Sequence, residues 1–276
     1  MATLPPLFAA GVRFTIAGVI LYAWYRWRGE PVPSRAEWRS LWLLGALMFL
    51  AGYSGLFWAE KSLPSGIASV LVSTIPVWIV LLETFAVRTQ RFRFATAFAV
   101  LLGLGGVAVI GSGGQSHGQA INIAACLAIL GSEIAWSLGT VLSKMIELPK
   151  SKAVGAGAQM MCGGALLLGC ALFSGELTPL RHVSLKASLA LAYLIVAGSL
   201  IAFTAYMWLL ARMSSTRVAS YAYVNPVIAL AIGYWLGGEA MQPRTLIGSA
   251  LVLVSVVLIL RRENEGHYDN HSGGRS

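Results

Sequence analysis

Charge is scarce in this sequence. Asp, Glu, Lys and Arg make up 11% of its 276 residues, against 57% apolar ones. A chain of that length with so few charged groups lacks the polar surface to cover a water-soluble globule. Histidine is sparser still: His117, His182, His267 and His271 stand apart in connections or near the C-terminus, which leaves little material for an acid–base or metal centre. Cys126, Cys162 and Cys170 lie inside apolar runs without metal-ligand spacing and read as small packing residues. Gly111–Gly114 is not followed by Lys-Ser or Lys-Thr and comes after an apolar run, so it reads as a hinge and not as a phosphate-cradling loop. No cofactor, metal or nucleic-acid partner is expected.

What is present is long apolar runs, with a mean hydropathy of +0.72. In lipid every backbone N–H and C=O must be satisfied within the protein, so spanning segments are helices or a closed barrel. Continuous apolar runs of about 20 residues match the helix length for a hydrocarbon core of about 30 Å, and the short alternating strands of a barrel are not seen. The pattern predicts an all-α, polytopic membrane helical bundle with nine spans, at about 6–27, 40–59, 66–87, 94–112, 121–143, 152–174, 187–210, 217–237 and 244–260. Residues 261–276 are polar and Gly-rich and are expected to form a disordered tail.

The basic excess, a formal charge of +9, sits in the connections. Assigned to alternate sides of nine spans, fifteen Lys and Arg fall on one side, and only Lys61, Arg181, Lys186 and Arg244 on the other. The positive-inside rule then puts the C-terminus in the cytoplasm. Nine spans put the N-terminus outside, although the chain enters an apolar run almost at once without a signal-peptide pattern; the expectation is that a first helix is missing upstream.

An internal repeat leads to the same expectation. Ile67-Ala68-Ser69-Val70 leading to Pro76 resembles Val218-Ala219-Ser220-Tyr221 leading to Pro226, an offset of about 150 residues. Matching backwards pairs 6–27 with 152–174, setting Arg13 opposite Gln159 and Gly18 opposite Gly164, and leaves 121–143 without a counterpart. The domains are therefore read as a four-helix first repeat, 1–112, a Gly-rich connection, 113–120, a five-helix second repeat, 121–260, and the tail, 261–276. An odd number of helices per complete repeat inverts one half relative to the other, as in many secondary transporters.

The sequence resembles a known family at several points: Pro5-Pro6 followed by Ala10-Gly11-Val12-Arg13-Phe14; Ala59-Glu60 with Leu63-Pro64-Ser65-Gly66-Ile67-Ala68; and Ser220-Tyr221-Ala222-Tyr223-Val224-Asn225-Pro226 with Leu236-Gly237-Gly238-Glu239. These segments are similar to the EamA-domain branch of the drug/metabolite transporter superfamily, over nearly the whole chain. The resemblance implies the ten-helix fold of two inverted five-helix repeats, both termini cytoplasmic, in the cell inner membrane, with a central cavity for small organic solutes such as amino acids and related metabolites, typically exported. Three positions depart from the pattern: the first helix is absent, Thr89 stands where the second repeat has Glu239, and Glu133 stands where a small or apolar residue is usual.

Several residues are candidates for chemistry. Glu133 falls near the middle of its span, where an acid costs about 2.5 kcal/mol or more to insert, so it should face protein or water. Asn122, Cys126, Glu133, Ser137, Thr140 and Lys144 share one helical stripe. Either the stripe lines a cavity, with Glu133 as a coupling or substrate-binding acid, or Glu133 makes an interhelical hydrogen bond or ion pair. Arg13, about two turns into the first span, is open to three roles: attracting a substrate carboxylate, snorkelling to headgroups, or pairing with an acid. Pro76 and Pro226 interrupt matching helices, each about ten residues in, and paired interruptions point to a midplane site or to a packing kink; Ser73 shares the face of Pro76, and Tyr221 and Asn225 share a face one turn before Pro226. Trp136 is read as a deep cavity candidate, whereas Trp24, Trp27, Trp38 and Trp58 are read as interfacial anchors. Glu83, one turn from Arg88, is read as interfacial.

The leading expectation is a secondary transporter working by alternating access, with an ion or solute gradient as its energy source. An inactive, truncated relative of such a transporter is the alternative, and a membrane enzyme is a remote one.

Overall fold

The computed structural model describes residues 4–63, 65–88, 94–111, 122–175, 184–225, 227–228 and 243–272. Among these no strand occurs, and the helices follow the apolar runs. They are α1 (Pro6–Trp27), α2 (Arg35–Ala59), α3 (Ser65–Val72), α4 (Ile75–Leu81), α5 (Phe94–Gly111), α6 (Ile123–Leu142), α7 (Lys152–Phe173), α8 (Leu185–Leu210), the short α9 (Ser215–Ala219) and α10 (Pro243–Ser272). Helices α1, α2, α6, α7 and α8 are long and apolar enough to cross a membrane, and shorter apolar stretches occupy Val70–Ala86, Phe94–Val109 and Leu246–Ile259. The expected span at 217–237 lies largely outside the described residues. Helix α10 continues through Ser272, past the apolar run and into the segment read from sequence as a disordered tail; Arg261, Arg262, Glu263 and Glu265 are straight-chain helix formers.

Local chemistry sets the ends. Pro6 opens α1, where a missing N–H costs nothing, and Gly29 at φ +90° closes it with its N–H donating to the Arg26 carbonyl. Ser34 starts α2 several residues before the apolar run through a capping box: Glu37 N–H donates to Ser34 Oγ at 3.2 Å and Ser34 N–H donates to Glu37 Oε2 at 2.6 Å. Asn122 accepts from Ala125 N–H ahead of α6, Ser184 from Ala187 N–H ahead of α8, and Ser214 from Arg217 N–H ahead of α9.

The chain forms two compact units, each assembled from both sequence repeats: Met1–Trp58 with Leu138–Met213, and Ala59–Ser137 with Ser214–Ser276. In the first unit α1 packs on α7 along glycines. A Cβ at Gly18 would lie 2.7 Å from the Gly157 carbonyl oxygen, one at Gly164 2.6 Å from the Thr15 nitrogen, and one at Gly11 2.9 Å from the Leu168 nitrogen. Residue numbers rise on one helix as they fall on the other, so α1 and α7, matched in the repeat, run antiparallel. The second unit repeats the arrangement with α5 and α10. Gly103 faces Ser255, Gly106 faces the Gly248 carbonyl, and Ser255 Oγ donates to the Ala99 carbonyl at 2.6 Å. Close approach of backbones through small residues is how membrane helices associate, since lipid supplies no hydrophobic drive between them.

Candidate functional site

Two long helices of the first unit contain wider, π-helical turns: Gly45–Ala51 in α2 and Leu194–Ile201 in α8. They are about 150 residues apart, the offset of the repeat. Such turns carry one residue more than an α-turn and often mark functional sites. Each is addressed by a polar side chain from α1 or α7. Arg13 Nε donates to Ser199 Oγ at 2.7 Å, and Nη2 reaches the Gly198 carbonyl at 3.5 Å. Gln159, 0% exposed, donates through Nε2 to Met48 Sδ at 3.2 Å, while its Oε1 has no hydrogen-bond partner among the described residues. Arg13 and Gln159 are the pair that the sequence repeat sets opposite each other.

The Arg13 guanidinium also lies 4.4 Å from the centre of the Phe14 ring. Phe14 opens an aromatic cluster in which its ring centre is 4.4 Å from Phe49 and 5.3 Å from Tyr53, and Phe49 is 5.0 Å from Phe203. Tyr206 follows Phe203, and its hydroxyl is hydrogen-bonded to Thr140 Oγ1 at 2.6 Å. No carboxylate pairs with Arg13 among the described residues, so its permanent charge is balanced only by a hydroxyl, a carbonyl and a ring face. The contacts of Arg13 with Ser199, Gly198 and Phe14 are part-buried and include no acid among the described residues.

The other candidates belong to the second unit. Helix α6 buries the middle of the predicted polar stripe: Glu133 is 5% exposed, and Ser137 and Thr140 are fully buried, whereas Cys126 is half-buried and Asn122 and Lys144, beyond the ends of the helix, are exposed. Ser137 Oγ donates to the Ile75 carbonyl at 3.3 Å, beside the break between α3 and α4. Glu133 makes no hydrogen bond or ion pair among the described residues. Trp136 is partly buried.

The expected kink at Pro76 is a full break. Helix α3 ends at Val72, and Pro76 is buried in the first turn of α4, where its missing N–H is tolerated. Thr74 Oγ1 donates to the Leu71 carbonyl at 2.6 Å and accepts from Trp78 Nε1 at 3.0 Å. The buried Ser73 hydroxyl donates to the Ala222 carbonyl at 3.2 Å, tying the broken helix of one repeat to the matching segment of the other. There the helix is also interrupted, at Ser220 between α9 and residues 221–225. Tyr221 is partly buried and Asn225 exposed. The fully buried aromatic is Tyr223, whose hydroxyl donates to the Val100 carbonyl at 2.9 Å. Pro226, Thr89 and Glu239 lie outside the described residues.

The structure corrects the reading of Glu83. It is 4% exposed within a π-helical turn, Leu82–Ala86, so its carboxyl is enclosed by protein, which closeness to Arg88 in sequence did not reveal. Sequence reasoning also gave no role to Gln159, Ser199 or Met48. The signal that could have found Gln159 is its alignment with Arg13.

An antiparallel, glycine-packed pairing of repeat-related helices, with broken helices at matching positions, defines a polytopic membrane bundle of two inverted repeats. The chain belongs to the EamA-like transporter family, which matches residues 1–112 and 123–261. It is 36% identical to the inner membrane transporter YedA of Escherichia coli (strain K12) over 258 residues, 92% of this chain and 81% of that one. It is 27% identical to Protein PecM of Dickeya dadantii (strain 3937), covering 94% of this chain and 86% of the relative. A solved crystal structure superimposes with a TM-score of 0.80 at 22% identity, covering 94% of this chain and 90% of that chain, which supports the fold. The chain is thus a multi-pass membrane transporter by family.

Proposed function

We propose that this chain exports a small organic metabolite bearing an acidic group, an amino acid or a related compound, by alternating access coupled to protons. The observation that carries the reading is Arg13: a charged, part-buried group on a membrane helix, held by Ser199 and Gly198 with no carboxylate beside it among the described residues, and next to aromatic side chains that can pack an organic body. An ionisable residue within a span is expensive and marks substrate or ion pathways, and a guanidinium presents several donors to a carboxylate. Glu133 supplies the proton site in this reading, being buried in the interior of α6 without a pairing cation among the described residues.

The test compares metabolites released by cells that lack the gene, overexpress it, or overexpress an Arg13→Gln variant of equal membrane abundance. Export of one class of acidic solute is expected to rise with the wild-type chain and to fall at least about tenfold toward background with the variant, the loss of a charge-assisted contact worth about 1.5–3 kcal/mol. Identical profiles in all three strains would overturn the proposal and favour the reading of a chain that folds without transporting.

A further inference from the structure

At one end of the first unit, the connection between α6 and α7 and the end of α8 enclose a cavity of about 510 Å³. Among the described residues its charged lining is basic: Lys144, Lys152 and Arg212, joined by Ser143, with no acidic side chain. Apolar groups including Leu148, Met207 and Leu210 complete the wall. A basic surface with apolar lining suits a phosphate group attached to something oily.

The cations are positioned by the fold. Lys144 Nζ donates to the Met213 carbonyl at 2.6 Å, which ties the two connections together across the cavity. The Arg212 guanidinium stacks 3.8 Å from the centre of the Trp208 ring and donates one N–H to the Trp208 carbonyl at 3.2 Å, leaving its other donors directed by a fixed plane. Lys152 is the first residue of α7, a 22-residue helix whose Ser151 side chain caps no N–H, so the positive end of the helix dipole adds to the charge at the cavity. Positive-inside bias explains why bases collect in such connections; it does not require three of them to share an amphipathic cavity.

We propose that this cavity binds a phosphate group, carried either by the headgroup of an anionic phospholipid or by a soluble phosphate. Basic pockets between membrane helices are suited to such headgroups, and the apolar lining favours a lipid. The site is separate from Arg13 and Glu133 and does not depend on what solute is exported.

The test uses the full chain purified in neutral detergent, with thermal unfolding followed as phosphatidylglycerol, phosphatidylcholine or inorganic phosphate is added. Phosphatidylglycerol is expected to raise the melting temperature where phosphatidylcholine does not, and a Lys152→Gln, Arg212→Gln double variant should need at least about tenfold more of it. Lys152→Arg should retain the response, and Lys186→Gln, at the start of α8, should leave it unchanged; these controls separate a binding defect from misfolding or a general loss of charge. If inorganic phosphate alone reproduces the whole shift and phosphatidylglycerol adds nothing, the site takes a soluble phosphate. An equal response to the two lipids, or the same phosphatidylglycerol titration in wild type and double variant, would overturn the proposal.

Discussion

Single residues in this protein are informative where a polar atom sits deep in an apolar helix. Glu133 is such a case: it is 5% exposed in the interior of α6 and has no pairing cation among the described residues, a costly arrangement within a span. If it is the proton site, Glu133→Gln should retain solute exchange in proteoliposomes while abolishing stimulation by a pH gradient; an unaltered pH profile would remove it from the mechanism. Ser73 is the opposite case, a buried polar group with an internal partner. Its hydroxyl donates to the Ala222 carbonyl inside the protein, and Ser73→Ala should lower stability by about 1 kcal/mol, read as a lower midpoint in thermal unfolding. The polar stripe on α6 was legible in the sequence because its spacings are helical. The burial of Glu133 without an ion pair among the described residues was not, because it depends on side chains from distant parts of the chain.

At the scale of elements, helix pairing rests on glycines, and the glycines are not equivalent. A Cβ at Gly18 would lie 2.7 Å from both the Gly157 oxygen and the Met161 nitrogen, which are backbone atoms, whereas one at Gly131 meets nothing within 4 Å. Gly18→Ala should therefore destabilise by about 1–3 kcal/mol, the range for overpacking a tight interface, while Gly131→Ala should leave the unfolding midpoint unchanged or slightly higher. Equal effects of the two substitutions would show that α1 and α7 do not approach as closely as described. Sequence had singled out Gly18 and Gly164 as repeat partners, and the structure puts both in the same interface. The π-helical turns at Gly45–Ala51 and Leu194–Ile201 were not legible. Their residues are the same apolar types that fill an ordinary helix, and only the hydrogen-bond register distinguishes them. The break before Pro76 was anticipated as a kink, since proline identifies the disturbed turn but not whether neighbours will hold the severed ends.

For the whole molecule, the two compact units cut across the two sequence repeats, each drawing helices from both. Helix α6 contributes residues on either side of that division, with Ser137 in one unit and Leu138 in the other. The bias of Lys and Arg toward one set of connections predicts a cytoplasmic C-terminus. A C-terminal green fluorescent protein fusion should then fluoresce and a C-terminal alkaline phosphatase fusion should be inactive; the reverse pattern would invert the topology.

The sequence by itself determined the solvent, the helical class, the approximate position of the apolar segments and the repeat, because these follow from composition and periodicity summed along the chain. The tertiary structure decided that Arg13 would rest on Ser199, 186 positions away, that Gln159 would meet Met48, that Glu83 would be buried, and that Ser73 would bond across the repeats. Those outcomes turn on ångström-scale distances between residues far apart in sequence, and local propensity carries no information about them until the chain has closed on itself.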